Sequence, residues 1–214
     1  MLKGILFDMD GVLVDSEEYI CQAAIEMFKQ KGLIVKPEDF IPFVGKGENM
    51  YIGGVAKKYN FDIDIDEVKA LTYSIYEQLV EGKLKPLPGV FKFIEKAKRK
   101  GLKLAVATSA DKVKMVVNLR NMGLTENTFD ATVNGLEVEH KKPSPDIFLL
   151  AAKKLGLKTE ECLVVEDAVS GVEAAKRAGA KCLALTTSFK KQNLQKADWI
   201  SNTLADAPVE VFEW

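Results

Sequence analysis

One histidine, three cysteines and no apolar run long enough to cross a bilayer exclude several functions for this 214-residue chain at once. Nothing else in the sequence pairs with the single histidine, His140, so neither a Ser-His-Asp nor a Cys-His hydrolytic centre can be assembled around it. No Cys/His spacing suits zinc. Cys21, Cys162 and Cys182 are odd in number, far apart and set in apolar stretches, a pattern of reduced core thiols in a reducing compartment rather than of a disulfide framework. The apolar run that begins at Met1 is cut by Asp8 and Asp10 before it could serve as a signal-peptide core, and a cytoplasmic protein is expected. The formal net charge of −1 provides no general field for nucleic acid or an anionic membrane, so an anionic small molecule has to be held by local groups. Repeats, low-complexity tracts and coiled-coil heptads are also absent, and a monomer is expected.

With 47% hydrophobic and 29% charged residues, the chain can bury a large core. Short apolar runs at 2–7, 103–107, 162–165 and 182–185 read as strands buried on both faces, and each is followed by polar or acidic residues. Helical patterns at about 89–100, 111–122, 145–155 and 169–178 alternate with them, several closed by a glycine such as Gly101, Gly123 or Gly156. This alternation predicts an α/β fold with a doubly wound parallel sheet. Residues 16–82 break the rhythm, with helical periodicity at 17–31, 47–59 and 65–81 and no convincing strand. The expected division is therefore a core of 1–15 plus 83–214 and a helical insertion of 16–82, joined by two strips near Asp15-Ser16 and Pro86 that could act as a hinge. Its aromatic residues, among them Phe40, Tyr51 and Tyr76, read as packed core rather than a base-stacking surface.

In an open parallel sheet, ligands bind beyond the carboxyl ends of the strands. Asp8 and Asp10 follow the first strand, Thr108 and Ser109 the strand at 103–107, and Glu166 and Asp167 the strand at 162–165, while Lys142 precedes a helix. Each acid alone could be a helix cap, but four at adjoining strand ends would repel by ~4 kcal/mol per close pair at ~4 Å and an effective dielectric of ~20, and so call for a cation. An oxygen-rich acidic site of this kind suits Mg²⁺. Gly11 permits a sharp turn after Asp8 and Asp10, so the two acids can take different parts: one attacks phosphorus, the other protonates the leaving oxygen and later deprotonates water. Thr108 and Ser109 offer hydroxyl and amide groups to a phosphate, or else cap the next helix. Lys142 supplies positive charge.

Taken in order, Phe7-Asp8-Met9-Asp10-Gly11, Ala107-Thr108-Ser109, Lys142-Pro143 and Val165-Glu166-Asp167-Ala168 strongly resemble the haloacid dehalogenase superfamily in its β-phosphoglucomutase-like branch, over nearly the whole chain. The resemblance implies a Rossmann-like core with a four-helix cap. It also implies Asp8 as nucleophile and metal ligand, Asp10 as acid/base with its carbonyl on the metal, Thr108 as a phosphate ligand, Lys142 as the charge-balancing lysine, and Asp167 beside Glu166 completing a Mg²⁺ site. Where true β-phosphoglucomutases carry a histidine and an arginine in the cap, this chain has Ile20 and Glu48, and Ala110-Asp111-Lys112 replaces their Ser-Lys-Asn. That favours hydrolysis of a small phosphorylated metabolite, of the sugar phosphate or pyrophosphate class, over a mutase. A dehalogenase would not need Asp10, and a non-catalytic regulatory protein would not need the intact motif set. The segment 43–49, with Gly45 and Lys46, is the expected substrate-reading loop.

Overall fold

All four residues of Gly4–Phe7 are apolar or glycine and all are buried, as a strand covered on both faces requires. This segment, β1, lies inside a six-stranded sheet in the computed structural model, which describes residues 1–214. The other strands are β2 (Lys103–Ala107), β3 (Ala131–Val133), β4 (Cys162–Glu166), β5 (Lys181–Leu185) and β6 (Trp199–Ser201). Their order is β3-β2-β1-β4-β5-β6 and every pairing is parallel. Phe7 lies opposite Val106 on one side and Val165 on the other. The chain builds β1 to β3 outward in one direction, then crosses back to build β4 to β6 in the other. This reversal opens a crevice at the carboxyl ends beside β1.

The helices are α1 (Glu17–Gln30), α2 (Glu48–Lys58), α3 (Ile65–Val80), α4 (Val90–Arg99), α5 (Lys112–Asn121), α6 (Asp146–Leu155) and α7 (Val169–Arg177). Side chains of β1 alternate between the two sheet faces. Ile5 and Phe7 join the layer that holds α4 and α5, where Phe7 meets Phe93 edge to face at 6.0 Å, and Leu6 joins the layer of α6 and α7. The expected strands and helices are all present. Strands β3 and β6 were not expected: each has three residues at a sheet edge, half buried in the main, with no continuous apolar run to mark it.

Between β1 and α4 lies the helical insertion, in which α1 packs along α3 around Met27, Phe28, Phe40 and Tyr76. The resemblance implies four helices; the insertion holds three α-helices and two 3-10 turns, Pro37–Asp39 and Ile41–Phe43. Pro37 and Pro42 each lack an amide proton, so the 36–43 segment cannot propagate an α-helix. The two connecting strips lie side by side: the Leu87 amide donates to the Leu13 carbonyl at 2.9 Å, and Val14 pairs with Pro86. Helix α3 meets α5 through the buried Lys69–Asp111 ion pair at 3.0 Å and through the Tyr76 hydroxyl, which donates to Asn118. All three cysteines are free, and no helix is long and apolar enough to cross a membrane.

Candidate active site

The sheet brings three strand ends to one crevice. Asp8 is pinned at the end of β1 by its amide bond to the Val165 carbonyl, and Thr108 at the end of β2 by its bond to the Val133 carbonyl. Glu166 is the last residue of β4. The loop before α6 lays Lys142 across them, with its Nζ 2.5 Å from Asp8 Oδ1 and 2.6 Å from Glu166 Oε1. The other Glu166 oxygen accepts the amide protons of Asp167 and Ala168, both at 2.8 Å. Gly171 lets α7 pack against this carboxylate: a Cβ there would sit 1.8 Å from Glu166 Oε1. Both Glu166 oxygens are thus committed to holding Lys142 and the turn into α7.

Charge at this point is unbalanced. Asp8, Glu166 and Asp167 are all buried, and Lys142 is the one cation among them. Burial, with repulsion from Glu166 and Asp10, pushes the Asp8 carboxyl up to about 7 against the pull of Lys142. Burial and the nearby Glu166 and Asp8 charges also push Asp167 well above its ordinary value. Lys142 stays cationic, because Asp8 and Glu166 outweigh the cost of its burial. Gly11, with φ +75°, allows the close approach of Asp167: a Cβ would lie 1.9 Å from its Oδ2. No three carboxylate, histidine or cysteine side chains converge on a single point. The donor set Asp8 and Asp167, short of positive charge and adjoining an open cavity, fits a cation that keeps several waters and takes the rest of its oxygens from backbone and substrate, which is the habit of Mg²⁺.

The four predicted acids line one cavity of about 570 Å³, but their side chains part. Asp10 turns from Asp8 toward α5 and the start of the insertion: its Oδ2 lies 2.9 Å from Lys114 Nζ on α5 and its Oδ1 accepts the Ser16 hydroxyl. Asn118 donates to the same Ser16 oxygen at 3.3 Å and receives the Tyr76 hydroxyl, so a hydrogen-bonded chain runs from Asp10 into α3. The sequence reading missed Lys114, which is 4% exposed. Its signal was available: in α5 the buried positions are 114, 115, 117, 118 and 119, so a lysine stands on the inward stripe of the helix that follows Thr108. Lys112 lies on the exposed side.

Thr108, 2% exposed, and Ser109 line the cavity, and Thr108 Oγ1 accepts the Ala110 amide at 3.1 Å. Gly45 lines it as well, whereas Lys46 is exposed and stays outside. Two positive-φ glycines, Gly45 and Gly47, turn the chain so that Glu48 opens α2 inside the cavity. Glu48 is buried, and that burial, aided by Asp111 and Asp10, pushes its carboxyl up to about 7 despite Lys114. Glu17 is raised by burial too, against Lys114. His140 is exposed, pairs with Asp146 at 3.1 Å, and has no place in the cavity.

The sequence model of the haloacid dehalogenase-like hydrolase family matches residues 5–185. The chain is 43% identical over 202 residues to Protein SUPPRESSOR OF QUENCHING 1, chloroplastic, of Arabidopsis thaliana, a match that covers 92% of this chain and 19% of that longer protein. It is 32% identical over 178 residues to the Phosphorylated carbohydrates phosphatase of Thermotoga maritima, covering 83% of this chain and 82% of that one. Among solved structures, a mutant of CbbY from Rhodobacter sphaeroides in complex with xylulose-(1,5)bisphosphate is similar with a TM-score of 0.88 and 28% identity, over 96% of each chain. With its family model spanning most of the sequence and its motif residues gathered at the strand ends of one doubly wound sheet, the chain belongs to the haloacid dehalogenase-like hydrolases.

Proposed function

We propose that this chain is a Mg²⁺-dependent phosphatase that hydrolyses a small sugar monophosphate through a phosphoryl group carried on Asp8. The observation that carries the reading is the buried bridge Asp8–Lys142–Glu166 at the sheet's switch point. It fixes one Asp8 oxygen on a cation and leaves the other free to attack. The similarity to a phosphatase of phosphorylated carbohydrates supports the substrate class.

Asp8 Oδ2 forms a bond to phosphorus as the bond from phosphorus to the leaving oxygen breaks, and Asp10, as general acid, gives that oxygen a proton. A water then attacks the aspartyl phosphate, Asp10 takes its proton, and the Asp8–phosphorus bond breaks to release inorganic phosphate. Lys114 and Ser16 hold Asp10 clear of the Asp8–Lys142 pair, so that the two acids do not share one cation. Thr108 and Ser109 with Lys142 grip the phosphoryl oxygens. Mg²⁺, held by Asp8, Asp167 and the Asp10 carbonyl, would neutralise the charge that builds on the phosphoryl oxygens.

The insertion acts as a cap on the hinge formed by the paired strips near Val14 and Pro86, and closes over the substrate to exclude bulk water. The three free thiols fit a reducing compartment such as the cytoplasm. A phosphosugar mutase is the competing reading, and the buried Glu48 weighs against it, because a mutase has to hold a second phosphate on the cap. Phosphate release from a panel of sugar phosphates, with and without Mg²⁺, tests the proposal. Metal-dependent release is expected; interconversion of sugar phosphates with a bisphosphate primer and little free phosphate would establish the mutase instead.

A further inference from the structure

Four buried side-chain oxygens in the chain lack a hydrogen-bond partner: Glu17 Oε1, Glu48 Oε2, the Tyr51 hydroxyl and the Tyr73 hydroxyl. All four belong to the insertion, and Glu17, Glu48 and Tyr51 line the cavity. Glu48 and Tyr51 are each 6% exposed. Tyr51 stands beside Glu17 and Cys21, close enough to interact with both. Buried polar groups are almost always satisfied, and those left open carry a desolvation penalty that an occupant of the cavity can relieve.

The chemistry of these groups defines the occupant. Buried carboxyls and a phenol can each give and accept hydrogen bonds, so the matching ligand is rich in hydroxyl groups. The net charge of the wall excludes another class. Asp10, Glu17 and Glu48 face Lys114 alone, since the neighbouring Lys69 is bound to Asp111. A second phosphoryl group placed here would find carboxyl groups and no free cation, since Lys114 is already paired with Asp10.

We infer that Glu48 and Tyr51, with Glu17, form a hydroxyl-reading subsite for the sugar portion of a monophosphorylated substrate, and that this subsite rejects a second phosphate. The inference rests on the phosphatase reading for the position of the scissile phosphate, but its test does not. It separates this chain from the structural relative captured with xylulose-(1,5)bisphosphate.

Two measurements are paired. Binding of ribulose 5-phosphate and ribulose 1,5-bisphosphate is read by calorimetry on Asp8→Asn, and turnover of these compounds and of p-nitrophenyl phosphate on the wild type, Glu48→Gln, Glu48→Arg and Tyr51→Phe. The wild-type site is expected to prefer the monophosphate by about tenfold or more, because unmatched charges and unpaired polar groups discriminate strongly. Glu48→Arg should narrow or invert that preference. In Glu48→Gln and Tyr51→Phe, the ratio of kcat/KM for ribulose 5-phosphate to that for p-nitrophenyl phosphate should fall by about tenfold, the cost of one well-placed hydrogen bond to a charged group. A ratio is insensitive to a partly folded preparation, since both substrates lose equally. Equal affinity for the two sugar phosphates, or ratios unchanged in both variants, would overturn the subsite. If Asp8→Asn discriminates as expected while the wild type releases no phosphate from any compound, the subsite stands and the phosphatase reading falls.

Discussion

Replacing Glu48 by glutamine removes a carboxyl that the fold holds at about 7 against an ordinary value of 4.5, chiefly because it is buried. In the unfolded chain the group ionises near its ordinary value. Below that pH both states carry the proton and the fold bears no cost. As pH rises, the unfolded chain gives up the proton first, so the native state loses stability until pH passes about 7, after which the loss is complete. At ~1.4 kcal/mol per pH unit the full loss is ~3 kcal/mol, of which ~2 kcal/mol develops between about pH 5.5 and about pH 8.5. Glutamine has the same shape and no titration. Thermal unfolding of the two proteins across this interval should therefore show Glu48→Gln gaining on the wild type by ~2 kcal/mol, or ~4–8 °C in Tm for a chain of this size. Asp8 and Asp167 titrate in both proteins and cancel in the difference. A Tm difference that stays constant from about pH 5.5 to about pH 8.5 would refute the reasoning, since it would mean that Glu48 titrates alike in both states.

Three other outcomes follow from the same geometry. Lys142→Ala leaves Asp8 and Glu166 buried without their shared cation and should cost ~3–5 kcal/mol in denaturant unfolding at neutral pH, together with loss of turnover. Gly11→Ala forces a side chain into a positive-φ position against Asp167, so phosphate release should fall by about tenfold or more and need a higher Mg²⁺ concentration for half-maximal rate. Lys46→Ala should leave kcat/KM for sugar phosphates within about twofold of the wild type, because an exposed side chain outside the cavity contributes little.

The parts of this molecule that could be read from sequence are those set by local pattern. A run such as Leu163-Val164-Val165 has no choice but a buried strand, and a parallel sheet then delivers whatever follows it to one edge, which is why Asp8, Thr108 and Glu166 meet. What could not be read is where side chains turn once they arrive. Position brings Asp8, Asp10, Glu166 and Asp167 to one cavity, but in the fold the Asp10 side chain goes to Lys114, leaving its carbonyl as the group that can face a metal, and both Glu166 oxygens are already engaged. Lys46 and Glu48 are two residues apart, and only the turn set by Gly45 and Gly47 decides that the lysine is outside and the glutamate inside. The inward stripe of α5 marks Lys114 for burial, but its meeting with Asp10 depends on how the fold sets α5 beside the end of β1, a long-range contact with no local signature. Strands β3 and β6, short and at the sheet's edges, owe their form to the neighbour they pair with rather than to their own residues.

The central claim is that phosphate passes through Asp8. Quenching the enzyme with acid during turnover of a sugar phosphate in Mg²⁺ and mapping its peptides by mass spectrometry tests it directly. The account predicts one phosphoryl group on the peptide that contains Asp8, removed by hydroxylamine, and neither that group nor phosphate release in Asp8→Asn. Phosphate release that continues in Asp8→Asn, or turnover in the wild type that never labels Asp8, would contradict it.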